Sequence, residues 1–136
     1  MNQNLTHITD KHTTTDIFCF DNGTEVKEYH AMIHVSSPCL PFSEQLEEIF
    51  NAYSQLLDGP MKGAQAVFKR YFLSDAANQA DAVIIGDVTD CAKSIIEQAP
   101  LDGTKIALWV YLMTGVQTCI GESGLYEVKQ SLDRKS

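Results

Sequence analysis

Residues 91–113 read CAKSIIEQAPLDGTKIALWVYLM, and this stretch decides the fold. It divides at Pro100-Leu101-Asp102-Gly103, a turn-forming connection between two apolar runs. The first run is short and β-branched at Ile95 and Ile96. The second, from Thr104 to Met113, is ten residues long, polar at one end and aromatic at its centre around Trp109 and Tyr111. Both are read as strands, the second long enough to lie inside a sheet.

Working upstream, AQAVFKRYFL over 64–73 is a third strand of aromatic and β-branched character. Alternation places Ala66, Phe68, Arg70 and Phe72 on one face and Val67, Lys69, Tyr71 and Leu73 on the other. Each face therefore carries one cation among apolar residues. The simplest expectation is that both stems run past the core and leave their heads in water; the alternative is that one cation lines a pocket and receives an anion. Between this strand and Cys91, SDAANQADAVIIGDV is an Ala-rich helical segment that Gly86 and Asp87 end. Further upstream, Leu46, Ile49, Phe50, Tyr53, Leu56 and Leu57 recur at helical spacing and make one apolar stripe. Ser43 is its expected N-cap, Glu44, Glu47 and Glu48 suit the dipole of its first turns, and Asp58-Gly59-Pro60 stops it.

Before that helix, TTTDIFCFDN and EVKEYHAMIHVSS read as a hairpin about Asp21-Asn22-Gly23. Residues 1–15 have no periodicity and are expected to form a flexible N-terminal arm, followed by one domain over 16–120. Residues 121–136 are expected to be a weakly ordered extension with at most a short strand near 124–128. The element order β-β-α-β-α-β-β gives an α+β class, with helices packed on one face of a mixed sheet.

With 136 residues the chain can bury one core. Its net charge of −8 opposes phosphate backbones, and Lys69-Arg70 and Asp133-Arg134-Lys135 are too short to form a basic patch, so no nucleic-acid partner is expected. No apolar run reaches the roughly 18 residues of a membrane span, and MNQNLTHITDKHTTTD lacks a signal-peptide core. No membrane association and a cytoplasmic location follow as expectations. Cys19, Cys39, Cys91 and Cys119 have no metal-ligand spacing and are read as reduced, packed thiols. His30 and His34 fall on one strand face about 13 Å apart, too far to share one ion. No metal or cofactor is expected, and Trp109 is read as core or interface packing.

Over residues 26–113 the chain resembles the Rid family (also called YjgF), and its tandem, chorismatase-type relatives most of all. EYHAMIHVSSP is similar to the family strand that ends in Ser-Gly-Gln, with Ser36 at the family's serine. AVFKRYFLSD is similar to its central strand, closing at Asp75, and EQAPLDGTKIAL to its turn into the last strand. The resemblance implies a chorismate-mutase-like fold, a homotrimer, and a small-molecule site in each cleft between copies. In active Rid enzymes an Arg holds the substrate carboxylate, a Cys lines the site, and a Glu positions the water that attacks an enamine or imine. With Pro100 as anchor, those positions fall on Cys91, Lys93 and Leu108. The resemblance thus carries the scaffold further than the deaminase chemistry.

The ligand-binding candidates are Ser36, Lys69, Arg70, Cys91 and Lys93. Cys91 and Lys93 share one strand face, where the ammonium could lower the thiol pKa or stand in for the missing Arg. Two functions compete: binding of a small carboxylate or carbonyl metabolite in an intersubunit cleft, or a non-catalytic oligomeric interaction module. An endoribonuclease ranks third, against the charge.

Overall fold

A computed structural model describes residues 2–21, 26–100 and 103–114. Eight elements follow one another: β1 (Asn2–Thr9), β2 (Thr13–Asp21), β3 (Lys27–Val35), α1 (Phe42–Asp58), β4 (Gln65–Leu73), α2 (Ala76–Gly86), β5 (Ala92–Glu97) and β6 (Ile106–Met113). Among the described residues the strands form a six-stranded sheet in the order β1-β2-β3-β6-β4-β5. Every neighbouring pair is antiparallel except β4 and β5, which run parallel with α2 as their crossover. The α+β class with a mixed sheet stands as read from the sequence.

The alternation read for β4 also holds. Lys69, Tyr71 and Leu73 face the helices, as do Ile33 and Val35 of β3 and Ile106, Leu108, Val110 and Leu112 of β6. Leu46, Ile49, Tyr53 and Leu56 of α1 and Val83 of α2 close over them in one core. Burial of each large apolar side chain contributes about 1.5–3 kcal/mol, so this single layer is the main source of stability. The two helices meet where Gly86 passes the ring of Phe50; a Cβ there would stand 2.6 Å from Phe50 Cε2.

Several expectations are corrected. Residues 2–9 are not an arm but an edge strand, paired along its whole length with β2. Backbone bonding, which any sequence offers, makes β1; its side chains supply only Leu5 and Ile8 as apolar signal. The first helix starts two residues earlier than expected, at Phe42, with Pro41 rather than Ser43 at the cap position. The Pro41 carbonyl accepts from the amides of Glu44 and Gln45, while no side chain caps the end. Gly59 does not use its left-handed freedom, having φ −127°, and its amide bonds the Leu56 carbonyl. Gly103 does use it, at φ +84°, in the turn into β6. The hairpin closes at Asp21↔Lys27, its Asn22-Gly23 turn falls outside the described residues, and so does the extension over 121–136.

One buried polar residue fixes the loops. Gln45, wholly buried in α1, donates to the Leu40 carbonyl at 2.8 Å and accepts from the Lys105 amide at 2.9 Å. It ties the segment entering α1 to the segment entering β6. No helix among the described residues is long and apolar enough to cross a membrane.

Candidate functional site

The sheet has two unlike faces, and the five candidate residues divide between them. On the helix side, Lys69 and Asp87 are each 2% exposed. Lys69 Nζ donates to both carboxylate oxygens of Asp87 (3.0 and 3.2 Å) and to Thr89 Oγ1 (2.9 Å), and it sits 4.2 Å from the centre of the Tyr53 ring. Tyr71 donates its hydroxyl to Asp87 Oδ2, and the Thr89 amide donates to Oδ1 at 2.9 Å. Lys93, partly exposed, turns its ammonium to the carbonyls of Asp87 and Thr89. The loop after α2 is therefore folded around two lysine heads. Neither expectation for Lys69 holds: it does not snorkel, and the anion it meets is internal.

Burial alone would push the Asp87 carboxyl up, but hydrogen bonds from Tyr71, Lys69 and the Thr89 amide together outweigh it and hold the group below the ordinary carboxylate range. Tyr71 and Tyr53 are both pushed well above the ordinary phenol value, chiefly by burial. All three groups are thus fixed in one protonation state at neutral pH, and the network is satisfied and closed. A concavity of about 350 Å³ opens beside it, lined by Tyr53, Leu57, Ala64, Gln65, Ala66, Thr89 and Asp90. Its one charged wall residue is an aspartate, which disfavours a carboxylate there.

Among the described residues the other face carries no helix. Strand register arranges it in rows: His30, Tyr111 and Phe68 in one; Met32, Trp109, Arg70 and Ser94 in the next; His34, Ala107, Phe72 and Ile96 in the third. The rings touch, with His30–Tyr111 centroids 4.8 Å apart, His30–Trp109 5.8 Å and Phe68–Trp109 5.8 Å. Tyr111 donates to Glu28 at 2.7 Å, and burial together with that carboxylate pushes its phenol up to about 12. The Arg70 guanidinium lies between Phe68 and Trp109, 5.4 and 5.9 Å from their ring centres. Among the described residues no carboxylate comes within ion-pair distance of it. Its Nε is the buried side-chain nitrogen left without an acceptor there.

One row beyond Arg70, a cleft of about 320 Å³ is lined by Met32, His34, Phe72, Gln98, Ala99, Pro100 and Ala107. It has the size and the mostly apolar lining of a small-molecule site. His34 also borders a shallower depression with Thr14, Val35 and Ser36. Ser36 is exposed at the end of β3, its amide bonded to the His12 carbonyl. It stands four residues past the row of Arg70 and two strands across, about 16 Å away by strand spacings. Within one chain, then, no small ligand spans Ser36 and Arg70.

Of the five candidates, Lys69, Lys93 and Cys91 gather on or beside the helix face, where Cys91 is half-buried. Arg70 belongs to the open face and Ser36 to its far end. Sequence reading missed Asp87 as the partner of Lys69 and Trp109 as a flank of Arg70. The signal for the first was present: Lys69 alternates in register with Tyr71 and Leu73, so a charge on that face has to be matched inside. Among the described residues no group of three His, Cys, Asp or Glu side chains is placed to hold a metal ion. Comparisons with protein-family models, curated proteins and solved structures found no match to the chain.

Proposed function

We propose that the chain is a Rid-like, self-assembling protein that binds a small carboxylate or carbonyl metabolite at the open face of its sheet, in a cleft completed between copies of a homotrimer. The observation that carries this reading is Arg70: a guanidinium held between two rings, without a carboxylate among the described residues, one row from a 320 Å³ cleft. Arginine presents a rigid fork that matches a carboxylate. Lys69 is excluded from that role because Asp87 already occupies it. The separation of Ser36 from Arg70 fits a cleft to which different copies contribute each residue. An open face bearing Phe68, Phe72, Trp109 and Tyr111 is larger in apolar area than isolated surface residues and calls for a cover.

The three positions at which the family resemblance would put the deaminase residues do not lie on this face. Cys91 and Lys93 are turned to the other side of the sheet, and Leu108 is a core residue. The same placement favours a second reading, in which the chain is a non-catalytic interaction module and the open face serves assembly alone. A net charge of −8 speaks against an endoribonuclease.

Light scattering combined with an amino-acid-oxidase-coupled imine hydrolase assay and a titration with 2-oxobutyrate separates the readings. A trimer that binds the acid, and loses it on Arg70→Gln, supports the ligand-binding reading. A trimer that binds no small acid supports the interaction module. A monomer overturns both.

A further inference from the structure

The open-face cleft has walls that distinguish among carboxylates. Met32, His34, Phe72 and Pro100 line it, a thioether, two flat rings and a pyrrolidine, with Gln98 the further polar contributor. Each gains more from an aromatic ring than from a saturated one of equal size: rings stack on rings, and sulfur favours ring edges. The anion contact stands at a defined offset. Arg70 and Phe72 are two residues apart on β4 and on the same face, opposite Trp109 and Ala107. That is about 6.6 Å along the strand, the length of one six-membered ring with its carboxyl substituent. Ala107 is the small residue in the middle strand of that row, and it leaves room between Phe72 and His34.

We infer that the ligand of this cleft is an aryl carboxylate, with its ring against Phe72, Met32 and Pro100 and its carboxylate on the Arg70 fork. The inference rests on the ligand-binding reading above and narrows it to a class. Saturated 2-oxo and amino acids of similar charge satisfy Arg70 but leave the ring surfaces unused. A neutral arene fills the cleft but makes no use of the guanidinium's charge.

Trp109 is the only tryptophan of the chain and flanks Arg70, so its fluorescence reports occupancy. The full chain is titrated with benzoate, cyclohexanecarboxylate and benzamide, exciting at the red edge of the indole band, with saturation-transfer NMR as a second readout. Benzoate is expected to bind about tenfold more tightly than cyclohexanecarboxylate, the preference that one ring–ring and one sulfur–ring contact provide. Arg70→Gln is expected to weaken benzoate by about tenfold or more, the range of a hydrogen bond to a charged group. Phe72→Leu keeps the charge and is expected to erase the preference for benzoate while sparing cyclohexanecarboxylate. Equal affinity for the two acids, with Arg70→Gln still weakening both, overturns the aryl class and leaves the carboxylate site standing. Benzamide binding as well as benzoate overturns the role of Arg70. No binding of any acid, 2-oxobutyrate included, overturns this inference together with the reading beneath it.

Discussion

Asp87→Ala is expected to damage this fold severely. The carboxylate accepts from Lys69 at 3.0 and 3.2 Å, from the Tyr71 hydroxyl, and from the Thr89 amide at 2.9 Å. Its removal strands an ammonium that is itself 2% exposed, with Thr89 Oγ1 and the Tyr53 ring as its remaining contacts. Because neither charge reaches solvent, screening does not soften the loss. Breaking one side of such a pair costs about 3–5 kcal/mol. With a urea slope of about 1–3 kcal/mol per molar, the unfolding midpoint falls by about 2 M. The assay is equilibrium unfolding followed by far-ultraviolet circular dichroism at fixed protein concentration, since assembly couples to stability. A triple variant, Lys69→Met with Asp87→Leu and Tyr71→Phe, removes the charges and the orphaned hydroxyl together and recovers most of the loss. A loss below about 1 kcal/mol for Asp87→Ala would refute the reasoning, because it would mean that Lys69 finds water or another acceptor.

Acid should act through the same carboxylate. Its folded pKa lies below the unfolded value, so its stabilisation is complete above an unfolded pKa of about 3.9 and is lost as pH falls through the folded one. Asp87→Asn should flatten that acid limb in a stability–pH series, and an unchanged limb would assign it to other groups. At the alkaline end the phenols of Tyr71, Tyr53 and Tyr111 are all raised, so their neutral forms stabilise the fold below about pH 10, an effect lost as pH climbs through the folded values. Tyrosinate absorbance at 295 nm should therefore rise cooperatively with unfolding rather than in a gradual titration near pH 10. Gly86→Ala gains helix propensity but drives a methyl into the Phe50 ring, so a net loss of about 1–2 kcal/mol is expected, and a gain in the melting temperature would show that the ring yields freely. Gln45→Leu orphans the Lys105 amide and should cost about 1–3 kcal/mol, with amide exchange accelerated at Lys105.

Much of the architecture was legible because apolar periodicity is strong where the core is. The stripe from Leu46 to Leu57 and the alternation through 64–73 each show which residues share a face. What failed was signalled by backbone alone. β1 pairs through peptide groups and carries polar side chains on an edge, so no side-chain pattern marked it as a strand. The helix start at Pro41 uses a carbonyl rather than the side-chain cap expected of Ser43. For the candidate site, parity put Lys69 and Arg70 on opposite faces but could not say which face the helices cover. That choice depends on long-range packing, and it decides which cation is spent inside the protein and which remains for a ligand. Lys69 meets Asp87 across 18 residues, a distance over which one sequence gives no pairing signal.

The position of β6 in the sheet sets the order in which the six strands can pair during synthesis. β1, β2 and β3 pair with their neighbours in sequence, and β4 and β5 join across α2, so both groups can assemble as the chain emerges. Among the described strands β6 alone bridges them, lying between β3 and β4. Until residues 106–113 leave the ribosome, the inward edges of β3 and β4 present unpaired backbone and their most apolar side chains. Such edges are where strands of different chains pair wrongly. The nascent chain is thus most exposed to aggregation just before residues 106–113 emerge, and the strand that ends this exposure is the one carrying Trp109 and Tyr111 onto the open face.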